Sequence, residues 1–257
     1  MRRLRTAVHR PARRRPGGAG SGATLRHVRS TGSAVRDYVD NFVTEDEVLA
    51  AARERGLELG CTPIGPGGGA ALRFLAGALG ARAVVEVGTG AGASGLCLLR
   101  GMAPDGVLTS IDVEPEHQHA ARQAFSEAGF APSRYRLIIG QALDVLPRLT
   151  DGRYDLVFVH AAKLEYPRYL ETGVRLLRSG GVIAFDNALG DGRALGDGRA
   201  LGDGRALGDG RALADPAHRD PSSTALRTLS IMVREDETLT PLMLPVDDGL
   251  LLALRNY

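Results

Sequence analysis

The residues Glu86-Val87-Gly88-Thr89-Gly90-Ala91-Gly92-Ala93-Ser94-Gly95 combine a carboxylate, small hydroxyls and closely spaced glycines. Glycine lets a backbone turn sharply and approach a ligand with no Cβ in the way. The apolar pair Val84-Val85 enters this turn, the helix-permissive Leu96-Cys97-Leu98-Leu99-Arg100 leaves it, and Ile111-Asp112 brings a carboxylate to the next strand end. Such a loop binds a nucleoside-bearing cofactor, and two classes compete for it. Gly90 to Gly95 is a literal G-x-G-x-x-G, with Asp112 near the spacing of a ribose-binding acid in dinucleotide sites. Glu86 argues for S-adenosylmethionine instead. A pyrophosphate gains nothing from a carboxylate two residues before the first glycine, whereas an α-ammonium and a sulfonium are met by one. The loop alone leaves both classes open.

A second chemical feature is compositional. Lys163 is the only lysine in the chain; every other member of the Lys+Arg count is arginine. Arginine supplies charge and hydrogen bonds but does not give up its proton. An amine near a metal or another cation can act as a general base. Lys163 follows the apolar run Tyr154-Asp155-Leu156-Val157-Phe158-Val159-His160, which places it on the ligand side of a sheet.

These residues need elements to position them. Tyr38 to Leu59 reads as a helix with a capping-box start at Thr44-Glu45-Asp46-Glu47. Ile64-Gly65-Pro66-Gly67-Gly68-Gly69 reads as a break before a helix from about Ala70 to Leu79. Strands are expected at 83–87, 107–112, 135–139, 154–160 and 181–186, and helices at 94–102, 115–129, 141–150 and 166–178. This alternation implies a parallel sheet covered on both faces, with ligands beyond the carboxyl ends of its strands. Leu239 to Val246 and Leu250 to Leu254 flank Asp247-Asp248-Gly249, a hairpin signal. The expected fold is α/β: a Rossmann-like class I methyltransferase architecture, with a mostly parallel seven-stranded sheet closed by a C-terminal antiparallel strand.

Composition bounds the rest. A chain of 257 residues with 44% hydrophobic content buries one substantial core. No apolar run approaches the roughly 18–20 residues of a membrane span, and a cytoplasmic enzyme is expected. Cys61 and Cys97 form no C-x-x-C and read as reduced packing residues. Residues 1–30 hold nine arginines and no acid, so the formal +2 of the chain becomes −7 for residues 31–257. The tail at 1–35 has no aromatic residue and no periodic basic face, so specific nucleic-acid binding is not expected. It reads as a disordered extension, and residues 36–257 as the catalytic domain. Ala188-Leu189-Gly190-Asp191-Gly192-Arg193 recurs at 194–199, 200–205 and 206–211. A six-residue period with two glycines fits neither helix nor strand, so 188–214 reads as a flexible loop insert.

At this point five motifs, in order, resemble a known family. They are Glu86 to Ser94, Ile111-Asp112, Gly140-Gln141-Ala142-Leu143-Asp144, Tyr154 to Lys163 and Gly180 to Asn187. Over about residues 36–257, apart from the insert, the chain resembles the cation-dependent O-methyltransferases, the catechol and caffeoyl-CoA O-methyltransferase group in its bacterial form. The resemblance implies that Glu86, the Gly88-Thr89-Gly90 backbone and Ser94 hold the methionine part and sugar of S-adenosylmethionine. It implies Asp112 on the ribose hydroxyls, Val113 beside the adenine, Ala142 in the adenine-side loop, and Ile64 from the segment before the sheet. Lys163 corresponds to the base that deprotonates the acceptor. Asp186 and Asn187 correspond to metal ligands, and His160 stands at a further ligand position that also borders the cofactor.

At position 160 the family carries aspartate. Imidazole brings no negative charge and magnesium prefers hard oxygen donors, so this site is expected to tilt from magnesium toward manganese or another transition ion. The expected activity is methylation of a hydroxyl on a small catechol-like aromatic, by a homodimer. The rivals are an NAD(P)-dependent oxidoreductase and an S-adenosylmethionine-binding protein with impaired catalysis.

Overall fold

Strands and helices alternate in the computed structural model, which describes residues 38–39, 41–189, 213, 217 and 219–257. The strands are β1 (Ala83–Val87), β2 (Val107–Asp112), β3 (Tyr135–Ile139), β4 (Tyr154–Val159), β5 (Leu177–Phe185), β6 (Leu239–Leu244) and β7 (Leu250–Arg255). The helices are α1 (Glu47–Glu58), α2 (Pro66–Ala78), α3 (Ala93–Gly101), α4 (Pro115–Glu127), α5 (Ala142–Val145), α6 (Tyr166–Leu176) and α7 (Pro221–Glu235). The arginine-rich tail and residues 190–212 and 214 of the repeat insert lie outside the described residues.

The strands form one sheet in the order β3-β2-β1-β4-β5-β7-β6. Neighbours from β3 to β5 are parallel, and β7 runs antiparallel to both β5 and β6. The reversed strand expected from the Asp247-Asp248-Gly249 turn is therefore present. The classic dinucleotide-binding order is 3-2-1-4-5-6, whereas here β7 enters between β5 and β6, antiparallel to both.

Strand parity sorts the apolar side chains into two layers. Val84, Leu108, Phe158, Ala184 and Leu252 join the core that contains residues of α1 to α4, including Leu49, Leu72, Leu96 and Phe125. Val85, Ile111, Val157, Ile183 and Leu251 join the opposite core, which contains Tyr166 and Leu170 of α6 and Leu226, Leu229 and Val233 of α7. Burying side chains of this size contributes about 1.5–3 kcal/mol each. The sheet is thus apolar on both faces, as continuous runs such as Leu156-Val157-Phe158-Val159 require. Residues Val39–Tyr257 form one compact unit, and among the described residues no helix is long and apolar enough to cross a membrane.

Several boundaries differ from the expectation. The helix expected from Tyr38 to Leu59 is not continuous: Tyr38 and Val39 are helical, residues 41–46 are not, and the helix Glu47–Glu58 starts afresh because Asp46 is its cap, its Oδ1 accepting a 2.9 Å hydrogen bond from the Leu49 amide. The second helix begins at Pro66, four residues early. Proline suits the first helical position, and the following glycines serve close packing rather than a break. The Gly68 amide donates to Asp247 Oδ2 at 2.7 Å, and a Cβ on Gly68 would sit 2.4 Å from that same oxygen. The helix expected over 141–150 is α-helical only through Val145 and continues as a 3₁₀ turn over Leu146–Arg148. Pro147 has no N–H to carry the α-helical ladder. Strand β5 starts at Leu177, so α6 stops at Leu176 instead of running to 178. Helix α7, capped by Asp220 Oδ1 on the Ser223 amide at 3.0 Å, has no counterpart among the expected elements.

Candidate active site

The site grows from the carboxyl ends of β1, β2, β4 and β5. Gly88 follows β1 with φ +91°, and a Cβ there would meet the His160 carbonyl oxygen at 1.9 Å. Only glycine lets the loop after β1 cross so close to the end of β4. The Gly88 amide donates to Ile111 O at 2.9 Å, and the His160 amide to Val87 O at 2.8 Å. These bonds extend the parallel ladder past the strands and hold the three chain segments side by side.

A cavity of about 360 Å³ opens over these ends. Its walls include Ile64, Gly88, Thr89, Gly90, Ser94, Asp112, Val113, Ala142 and His160, so nine of the sequence-predicted cofactor residues meet around one space. A volume of this size is ordinary for a small-molecule site. The structure also adds wall residues that motif spacing does not reveal, among them Cys61, His117, Glu165 and Tyr169. Tyr169 donates to Glu165 Oε2 at 2.5 Å.

Glu86 is the exception among the expected cofactor residues, because it does not form part of the cavity wall. It is fully buried, on the same side of β1 as Val84, facing α3. Ser94 donates to its Oε1 at 2.6 Å and Ser110 to its Oε2 at 2.6 Å. Parallel pairing sets Ser110 directly beside Glu86, which explains the second bond. Burial pushes the Glu86 carboxyl up to about 7, with the two serine hydroxyls opposing that rise. Glu86 therefore reaches the cavity through Ser94, which lines it. Strand parity turns residue 86 toward the helix.

Asp112 ends β2 with its carboxylate fixed on several sides. The amides of Gly90 and Glu114 donate to Oδ2 and Oδ1, each at 3.0 Å, and His117 Nδ1 lies 3.2 Å from Oδ1. The loop thus grips the carboxylate that it presents to the cavity.

At the ends of β4 and β5, Val159 pairs with Phe185, so the next residues, His160 and Asp186, emerge as neighbours. His160 Nδ1 lies 3.5 Å from Asp186 Oδ2, and His160 Nε2 lies 3.3 Å from Asn187 Nδ2. Asn187 adopts φ +53°, a left-handed conformation that asparagine tolerates better than most residues. Asp186 is almost wholly buried, and burial pushes its carboxyl above the usual range; His160 and Lys163 both pull against that rise. Tyr166 donates to the Asp186 carbonyl at 3.1 Å. Lys163 opens the 3₁₀ turn Lys163–Glu165 that leads into α6. Of His160, Lys163, Asp186 and Asn187, only His160 also lines the cavity.

Among the described residues no group of three His, Cys, Asp or Glu side chains gathers as a metal cluster. A metal held by the His160–Asp186 pair would need the Asn187 amide as a third ligand. One imidazole, one carboxylate and one amide are donors that fit a borderline transition ion better than magnesium, which prefers all-oxygen shells.

Comparison with known proteins decides the family. A profile described as O-methyltransferase matches residues 42–256. The chain belongs to the O-methyltransferase family. A Mycolicibacterium vanbaalenii protein named as an O-methyltransferase is 47% identical over 239 residues, covering 93% of this chain and 97% of its own. A solved Corynebacterium glutamicum protein matches with TM-score 0.75 and 30% identity over 88% of this chain and 98% of its own. The O-methyltransferase TomG of Streptomyces achromogenes, involved in tomaymycin synthesis and solved in complex with S-adenosylmethionine, matches with TM-score 0.72 and 29% identity, covering 87% and 96%. This O-methyltransferase is of the S-adenosylmethionine-dependent kind, and the nicotinamide alternative for its glycine loop is set aside.

Proposed function

We propose that this O-methyltransferase transfers the methyl group of S-adenosylmethionine to one hydroxyl of a small catechol-like aromatic, with a divalent cation beside that hydroxyl. The observation that carries the reading is His160. It lines the cofactor cavity and at the same time touches Asp186 and Asn187, so the cofactor wall and the acceptor-side residues meet at one side chain.

In this reading Asp112 accepts from the ribose, Val113 and Ala142 border the adenine, and Ile64 closes the cavity from the segment before α2. The backbone of Gly88, Thr89 and Gly90, with Ser94 backed by Glu86, holds the methionine part. That TomG was solved with S-adenosylmethionine supports the same use of the cavity here. His160, Asp186 and Asn187 would hold the ion, which when bound supplies Lewis-acid polarisation of the acceptor oxygen. The charge of Lys163 acts on Asp186, which supports an amine beside the acceptor. In its amine form, Lys163 Nζ takes the hydroxyl proton. The acceptor oxygen then forms its bond to the sulfonium methyl as the S–CH₃ bond breaks, and S-adenosylhomocysteine leaves. Holding the two reactants in line is the largest service that such a site offers.

Cofactor binding without turnover is the second reading. It is motivated by the Asn187 amide nitrogen beside His160 Nε2, which takes up the nitrogen that a metal would use. Purified protein incubated with S-adenosylmethionine, manganese and a panel of catechols, with mass detection of an added CH₂, separates the two. Methylated product supports the proposal, and S-adenosylhomocysteine binding with no product on any catechol supports the second reading. A homodimer is the proposed assembly, and sedimentation of the purified chain tests it.

A further inference from the structure

Cys61, His117 and Asp112 form a chain of contacts along the nucleoside end of the cavity. Cys61 Sγ lies 3.3 Å from His117 Nε2, and His117 Nδ1 lies 3.2 Å from Asp112 Oδ1. All three residues line the cavity. They come from three separate elements: the linker between α1 and α2, the first turn of α4, and the last residue of β2.

Hydrogen-bond bookkeeping orients this chain. An ionised carboxylate only accepts, so His117 Nδ1 carries the proton that Asp112 receives. In the tautomer protonated at Nδ1, Nε2 is an acceptor, and the partner beside it is the Cys61 thiol. Burial, and then the charge of Asp112, raise the Cys61 thiol above its ordinary value, which keeps the S–H proton in place to donate. The contacts therefore run in one direction, from thiol to imidazole to carboxylate.

The carboxylate of Asp112 offers about four acceptor positions. The Glu114 amide and His117 take two on Oδ1, and the Gly90 amide takes one on Oδ2. The position that remains is on Oδ2. Without His117, Oδ1 would lose one of its two donors, and the carboxyl group would be free to turn about its Cβ–Cγ bond.

We propose that His117 is a positioning residue for cofactor recognition: it locks the Asp112 carboxylate so that its remaining acceptor position meets a ribose hydroxyl, and Cys61 holds the imidazole in that orientation. The proposal rests on the cofactor reading given above. It extends the ribose site to two residues outside every motif of the glycine loop.

The test is calorimetric titration of the full chain with S-adenosylhomocysteine and with its analogue lacking both ribose hydroxyls. The His117→Ala variant should bind S-adenosylhomocysteine about tenfold more weakly, the scale of one hydrogen bond to a charged group, yet bind the dideoxy analogue within about twofold of the wild type. Two near-isosteric variants separate the ring nitrogens. His117→Asn keeps a donor near the Nδ1 position and should retain affinity within about threefold, whereas His117→Gln reaches the Nε2 position only and should behave like His117→Ala. These two also carry the test if the alanine variant fails to fold. Equal losses for both ligands, or His117→Gln binding as tightly as His117→Asn, would overturn the positioning role. A wild-type chain that binds no S-adenosylhomocysteine would instead overturn the cofactor reading itself.

Discussion

Ser110 of β2 stands beside Glu86 of β1 in parallel register, and its hydroxyl donates a 2.6 Å hydrogen bond to Glu86 Oε2 while Thr89 Oγ1 lies 2.6 Å from the same hydroxyl. Gln118 Nε2 in turn donates to Thr89 Oγ1 at 2.9 Å. The carboxylate thus sits at the root of a buried polar network that reaches the cavity at Thr89 and Ser94. Such networks are costly when any member is left unsatisfied.

The raised Glu86 carboxyl has a consequence for stability. Its folded value of about 7 lies above the ordinary 4.5, so the folded chain binds more protons than the unfolded one between those values. The contribution is fully present below about 4.5 and is lost as pH rises through about 7. The Glu86→Gln variant removes this titration. Wild type should therefore lose stability relative to Glu86→Gln by on the order of 1–3 kcal/mol between pH 4.5 and 8. Thermal unfolding of both proteins across that range is the measurement, and parallel profiles would contradict it.

Lys163→Arg keeps the cation but removes the amine proposed to take the acceptor proton. Turnover should fall by about 100-fold or more while the KM for S-adenosylmethionine stays within about twofold. Steady-state kinetics on a catechol that the wild type methylates would decide it. Near-normal kcat in the arginine variant would show that the only lysine is incidental.

The proposed ligand set His160, Asp186 and Asn187 contains a single carboxylate. Chelator should abolish activity, and manganese should restore it better than magnesium, because imidazole and amide donors do not repay the dehydration of magnesium. His160→Asp adds the second carboxylate and should move the preference back to magnesium. Wild-type turnover that ignores chelator would remove the metal role and leave deprotonation to Lys163 alone.

Gly88 touches the backbone after β4 with no room to spare. Gly88→Ala places a Cβ against the His160 carbonyl and also forces alanine into a positive φ. A destabilisation of about 2–4 kcal/mol, visible as a lowered melting temperature, and loss of S-adenosylhomocysteine binding are expected together. A variant with wild-type stability would mean that the loop does not approach β4 as closely as described.

The two thiols should differ in reactivity. Cys97 is buried and its thiol is pushed up to about 11, whereas Cys61 is only partly buried and lines the cavity. A small alkylating reagent should modify Cys61 first, and saturating S-adenosylhomocysteine should slow that reaction. Peptide mapping by mass spectrometry checks both points; unchanged labelling of Cys61 by ligand would place it outside the bound-cofactor footprint.

Much of the framework was legible from local pattern alone. The expected bounds of β1, β2 and β3 coincide with those observed, because apolar runs, turn residues and glycine act within a few residues of themselves. The glycine loop, Asp112 at the end of β2 and the reversed strand after Asp247-Asp248-Gly249 belong to the same class. The start of α2 did not, since Gly67-Gly68-Gly69 punctuates a chain by composition and fills a helix only when another segment packs against it. Tertiary structure alone decided which way Glu86 faces, because cross-strand parity and Ser110, twenty-four residues away, set that direction. It also decided that His160 and Asp186 are neighbours, which depends on the register between β4 and β5, and that Cys61 meets His117 across fifty-six residues. Contacts at such separations leave no periodic trace in the chain. They exist only once burial of two apolar faces has fixed the sheet, and the site is assembled from what that sheet brings to its edge.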